Sequence, residues 1–210
     1  LRSDEETRAI ILDAARSEFA AGGYAATCME QVARRASVST KTLYRLIPNK
    51  EALFEAMVTD RIDRFASVVK LRGCEGRDIE AALTEALRVC GELILDGEVI
   101  AMQRMIIADS ERSPGVAETF YDKAIRRTEE TFAGWLRAQA RRGLLDLADL
   151  DAAAVAGMLL GMLAFQPQRA VMFGRRPPPS RQEIEARAKA CALLFLEGTA
   201  VDARGPKPET

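Results

Sequence analysis

The sequence predicts an all-α protein of about nine helices. Apolar residues recur with the helical period in nearly every segment, strand-type alternation is absent, and clusters of Gly and Pro punctuate the chain at helix-length intervals. With 210 residues, 48% hydrophobic and 29% charged, the chain is long and apolar enough to bury a substantial core.

The first helix is predicted over 4–21, with Ile11, Ala15 and Phe19 on one stripe and Gly22-Gly23 ending it. Thr27 and Glu30 form a T-x-x-E capping box, which starts a second helix at Thr27. Val32 and Ala33 face inward there, and Arg34 and Arg35 face out. Ala36-Ser37-Val38-Ser39 is too short to be anything but a turn. Ser39 caps a third helix from Thr40 to about Leu46, whose Leu43 points inward and leaves Thr40, Lys41, Thr42, Tyr44 and Arg45 outside.

Pro48 stops that helix, and Asn49 caps a long run from Lys50 to about Arg72. Leu53, Phe54, Met57, Ile62, Phe65, Val68 and Val69 give this run broad apolar faces, and Gly73 and Gly76 break it. Further helices are predicted over 78–95, 98–111, 115–142, 150–172 and 181–197. Ser113-Pro114-Gly115, Gly143 and Arg175-Arg176-Pro177-Pro178-Pro179 separate them, and Ser180 with Glu183 repeats the capping box. This divides the chain into a head over 1–50, a connecting helix over 51–72, a larger helical domain over 73–197 and a Gly-, Pro- and charge-rich tail over 198–210.

Two short helices joined by a tight turn, followed directly by another, have the layout of a helix-turn-helix reader of double-stranded DNA. The third helix is the candidate for the major groove. Between Thr27 and Lys50 five cationic side chains oppose only Glu30, a local net charge of +4 on a chain whose total is −1. A local basic patch on a near-neutral molecule suits selective docking better than indiscriminate polyanion binding. Lys50 stands at a positive helix end beside the reader, where backbone N–H groups and an ammonium together attract a phosphate oxygen.

Several classes are disfavoured. The chain has no histidine, which removes the commonest general base and any Ser-His or Cys-His pair. Cys28, Cys74, Cys90 and Cys191 are widely spaced with no C-x-x-C, so buried thiols are expected and no metal or cofactor site. No phosphate-binding glycine loop is present. The longest apolar run, from Ala152 to Phe165, falls short of the roughly 20 residues that cross a bilayer, so its Gly157 and Gly161 are expected to permit close helix packing in water. No secretory signal is visible and a cytoplasmic location is expected, although the chain opens on Leu1, as it would if a short native start preceded it.

The chain resembles the tetracycline-repressor (TetR) family of one-component regulators. The matching text is Ile11-Leu12-Asp13-Ala14-Ala15, Phe19, Gly22, Tyr24 and Thr27, then Val32-Ala33, Val38-Ser39, Thr42-Leu43-Tyr44 and Lys50-Glu51-Ala52-Leu53. Ser37 departs from the pattern by standing where a turn glycine is usual, and Leu46-Ile47 by replacing a frequent His-Phe. The segment from Met102 to Leu144 is also similar to an AefR-like effector domain, through Arg104, Asp109, Ser110, Pro114, Phe120-Tyr121 and Arg141-Arg142-Gly143-Leu144. The resemblance implies that Thr40, Lys41 and Thr42 reach base edges and that Tyr44 and Lys50 grip phosphate. It also places Thr27 at the sugar-phosphate chain, with Arg45 assisting from the flank, while Arg34 and Arg35 either meet phosphate or form a solvated face.

A single reading helix contacts few base pairs, so a two-fold homodimer is expected to place two readers about 34 Å apart in successive major grooves. The last two helices suit an intersubunit four-helix bundle through Ala153, Ala156, Leu160 and Leu163 and through Ala190, Leu193 and Leu194. An internal core without a partner is the competing reading. The resemblance further implies a small-molecule effector whose binding changes the separation of the heads. Candidate lining is aromatic and sulfur-rich: Phe65, Met102, Met105, Ile106, Phe120, Tyr121, Trp135, Met158, Met162 and Phe165, with Gln103, Gln166 and Tyr121 as polar anchors. Plain core is the alternative for each. The expected function is a ligand-responsive repressor released by a small hydrophobic effector. The alternative is a helical protein-interaction module that has lost DNA binding.

Overall fold

The structure, a computed structural model, describes residues 2–71, 78–147 and 150–198, with the backbone alone at 64, 68–71 and 198. Gly73, Gly76, Cys74, the Val68 and Val69 side chains and the tail beyond Gly198 lie outside the described residues. The described chain is all helical: α1 Asp4–Ala26, α2 Met29–Arg35, α3 Thr40–Leu46, α4 Lys50–Leu71, α5 Ile79–Ile94, α6 Gly97–Asp109, α7 Pro114–Phe120, α8 Arg127–Arg141, α9 Ala152–Met172 and α10 Arg181–Gly198. A π-helical turn over Tyr121–Arg126 joins α7 to α8, so the single helix predicted over 115–142 is one rod with a widened turn inside it.

Ser3 and Glu6 cap α1 reciprocally, each taking the other's backbone N–H. Gly23 then adopts φ 79°, which interrupts α1 at the predicted glycine pair. The capping box expected at Thr27 and Glu30 is not formed. The α2 helix starts at Met29, and the Cys28 N–H donates to Gln31 Oε1 at 2.9 Å. Thr27 is buried, and its hydroxyl donates to the carbonyls of Gly23 at 2.8 Å and Glu18 at 3.1 Å. The kink strands carbonyls at the end of α1, and the threonine turns back to serve them.

Two hydrophobic clusters organise the molecule. The first joins α1 to α4 around Phe19, Tyr24, Leu43 and Phe54, and extends to Ile106, Val116 and Phe120, so the head packs directly on α6 and α7. Within it Phe19 and Tyr24 stack at 5.6 Å, and both meet Phe54 edge-on. The second cluster unites α5, α8, α9 and α10 around Leu83, Leu87, Phe132, Trp135 and Leu159, and takes Phe65 from α4. The α4 helix therefore contributes to both.

The expected close packing at Gly157 and Gly161 is absent, because a Cβ added at either would meet nothing within 4 Å. Close approach occurs instead at Gly91, where a Cβ would lie 2.6 Å from Ile184 Cγ2 and drive α5 away from α10. Cys90 and Cys191 are buried, and burial pushes both thiols above their ordinary range. Cys28 is exposed, against the expectation of buried thiols.

Candidate nucleic-acid interface and effector cavity

The reader is held from below and presented from above. Leu43 anchors α3 in the head core with no exposed surface. Ser39 Oγ accepts the Thr42 N–H at 3.0 Å and lies 2.8 Å from the Thr42 hydroxyl, so the helix cap also orients Thr42. Thr40, Lys41, Tyr44 and Arg45 are exposed. Ser37 accepts the left-handed conformation at φ 54° in the turn that sets the angle between α2 and α3.

The charged side chains of the head divide into two groups. Arg45 makes a bidentate pair with Asp4 at 2.7 Å. Hydrogen bonding to Arg45 holds the Asp4 carboxyl below its ordinary value. Arg35 pairs with Glu18. The Tyr44 hydroxyl donates to Glu30 at 3.3 Å, and desolvation followed by the Glu30 charge raises its pKa. Arg34 and Lys41 are exposed and have no ion pair among the described residues.

Lys50 requires a correction. Expected to project toward phosphate, its ammonium donates to the carbonyls of Tyr24 at 3.0 Å, Thr27 at 3.1 Å and Ala25 at 3.5 Å, and lies 4.5 Å from the centre of the Tyr24 ring. These carbonyls follow the Gly23 kink and form the negative end of α1, which attracts the ammonium.

A cavity of about 580 Å³ lies between α4, α6, the α7–α8 rod and α9. Of the predicted lining, Met102, Gln103, Ile106, Phe120, Tyr121 and Phe165 reach it. Met105 instead lines a neighbouring cavity of about 540 Å³ between α1 and α6, which Met102 and Arg61 share. Phe65 and Trp135 belong to the second core, where Trp135 stacks on Phe132 at 6.0 Å. Met158, Met162 and Gln166 lie on the exposed face of α9, with Gln166 taking a hydrogen bond from Arg187. These five side chains share the composition of a pocket lining but not its place in the fold. Sequence reading missed Gln168, which donates to Gln103 at 2.9 Å across the cavity, and also Glu129, Gly157 and Gly161.

The predicted bundle face also needs revision. Ala156, Leu160 and Leu163 form the inward stripe of α9 and are buried within the protomer. The outward stripe is Met158, Met162 and Phe165, 59%, 40% and 60% exposed, beside Leu194 of α10 at 62%. Ala153 and Ala190 are exposed, and Leu193 is half-buried. Such an outward apolar patch is uncommon on a monomer.

Residues 11–57 match the model of bacterial regulatory proteins of the tetR family, and residues 81–198 match that of the AefR-like transcriptional repressor C-terminal domain. The chain belongs to the TetR family. A TetR-family transcriptional regulator from Mesorhizobium loti MAFF303099 is similar at 29% identity and TM-score 0.80, over 96% of this chain and 100% of that one. The flavonoid-responsive regulator FrrA is similar at 26% identity and TM-score 0.65, over 92% of this chain and 97% of that one. The HTH-type transcriptional regulator TcmR of Streptomyces glaucescens is 28% identical across 70% of this chain, a match that spans 65% of its own length.

Membership makes the protein a transcriptional regulator and not an enzyme. Its TetR head has α3 as the second helix of the helix-turn-helix, the larger cavity lies between α4 and the AefR-like domain, and that domain carries the exposed apolar face. No helix among the described residues is long and apolar enough to cross a membrane.

Proposed function

We propose that the protein is a ligand-responsive repressor that binds a palindromic operator as a homodimer and releases it when a small, predominantly apolar effector fills the larger cavity. One observation carries this reading: α4 begins at Lys50 beside the reader and sends Val58, Arg61 and Ile62 into the cavity. A ligand that favours one position of α4 therefore biases the position of the head. The exposed stripe of Met158, Met162, Phe165 and Leu194 supports a two-fold partner. The flavonoid-responsive neighbour supports a ligand response.

In this reading Thr40, Lys41 and Thr42 address base edges. Tyr44, Arg34 and the Thr27 backbone lie along phosphate, with Arg45 at the flank. Lys50 acts chiefly by fixing the α1–α2 joint against which α3 is set.

Footprinting on the DNA upstream of the protein's own gene and its neighbours, with light scattering of the free protein, tests the proposal. The expected result is a dimer that protects two half-sites, with affinity falling steeply as salt rises. A monomer that protects no genomic fragment, or a partner interaction indifferent to ionic strength, overturns it.

A further inference from the structure

We propose that the effector is cationic: an amphipathic amine or quaternary ammonium whose charge is met by Glu129. This rests on the cavity being the effector site and names the chemistry it selects.

The polar groups that line the cavity differ in how fully they are satisfied. Arg61 is its only cationic lining group among the described residues. Its guanidinium is matched twice, by Asp96 at 2.7 Å and by Glu98 at 3.4 Å, which leaves little attraction for an anion. Gln103 and Gln168 are bonded to each other, and the Thr128 hydroxyl donates to the Ala124 carbonyl at 2.7 Å. Glu129 is half-buried and has neither ion pair nor hydrogen bond among the described residues. Its charged neighbours on the same rod are matched: Arg126 by Asp122 and Glu130, Lys123 by Glu55, and Arg127 by Asp63. Among the described residues, the uncompensated charge in the cavity wall is therefore negative.

The surroundings strengthen the selection. The rest of the lining is largely apolar, so a carboxylate there is screened less than on the open surface and discriminates strongly between ligand charges. Tyr121, 55% exposed at the cavity edge, offers an aromatic face to an alkylammonium, whereas the Phe165 ring already carries the Arg169 guanidinium at 4.9 Å. Tyr121 and Glu129 lie on one wall, joined through the π turn over Tyr121–Arg126, a feature that recurs at functional sites. Gly157 and Gly161, with open space in front of them, leave room for the apolar body.

Calorimetric titration of the full-length protein with three probes of equal chain length, decyltrimethylammonium below its micellar concentration, 1-decanol and decanoate, tests the inference. The ammonium is expected to bind about tenfold more tightly than decanol, with decanoate weakest. Glu129→Gln should bring ammonium and decanol within about twofold of each other without moving decanol. Glu130→Gln, at a carboxylate outside the cavity, should leave the preference intact. Equal binding of all three, preference for decanoate, or an unchanged preference in Glu129→Gln overturns the cationic class while leaving an apolar effector site standing. No binding of any probe, decanol included, overturns the effector site as well.

Discussion

Arg187 on α10 donates from Nε to the main-chain carbonyl of Leu163 on α9 at 2.6 Å. Leu163 is four residues before Pro167, which has no N–H to offer that carbonyl. The guanidinium supplies the missing donor from the neighbouring helix, and a second nitrogen takes the Met162 carbonyl at 2.7 Å. This lets α9 run from Ala152 to Met172 with a proline inside it.

Replacing Arg187 with Met should therefore reduce stability by about 1.5–3 kcal/mol, the range for a hydrogen bond to a charged group. In a Pro167→Ala background, where the amide returns, the same replacement should cost less than half as much. Urea unfolding of the four proteins measures the coupling. Strictly additive losses would contradict the relationship.

Lys50 and Thr42 should separate in their effects on DNA. Lys50→Ala removes the group that gathers three carbonyls at the α1–α2 joint, so affinity should fall alike on operator and random duplex, with a loss of stability of about 1–2 kcal/mol. Thr42→Ala should lose about 1–3 kcal/mol on the operator alone. Binding isotherms on both duplexes, with thermal melts of the free proteins, distinguish the two. A selective loss in Lys50→Ala would instead place that residue at the base edges.

Ser37 has a left-handed backbone at φ 54°, which an L-residue adopts at a strain of roughly 1–2 kcal/mol that glycine avoids. Ser37→Gly should relieve part of it and raise the urea midpoint with operator affinity unchanged. A lower midpoint would show that the serine is held by something other than backbone geometry.

Tyr24 should make the head sensitive to alkali. Burial, followed by the Glu51 carboxylate, pushes its hydroxyl from 10.0 up to about 12. Unfolded chains lose this proton near pH 10.0 while the folded protein keeps it to about 12, so its contribution to stability is complete below pH 10 and is lost as pH rises through about 12. Spectrophotometric titration should show one tyrosine ionising last, and Tyr24→Phe should remove that step. A last step that persists in the variant would place the delayed proton elsewhere.

Much of the head was legible because its signals are local. Ser39 caps α3, Asn49 caps α4 and the glycine pair interrupts α1 through contacts within a few residues, and a short-range pattern specifies such contacts. The Thr27–Glu30 box failed for a different reason. The Thr27 hydroxyl is taken by the Gly23 carbonyl one turn back and by the Glu18 carbonyl nine residues back across the kink, partners that the T-x-x-E pattern does not register.

The amino-acid sequence alone determined the helical class, the helix-turn-helix head and the family, since periodicity, caps and an ordered motif depend on near neighbours along the chain. Tertiary structure decided which apolar residues face what. Along α9 the stripes of Leu159 and Leu163, of Met158 and Met162, and of Gly157 and Gly161 are all apolar, yet the first is core, the second is exposed and the third borders a cavity. Hydrophobicity carries no direction, so only the placement of α5, α6, α8 and α10 around that helix assigns each stripe its role. The same holds for Lys50, whose charge was plain in the sequence but whose partners depend on where the kink at Gly23 leaves the end of α1.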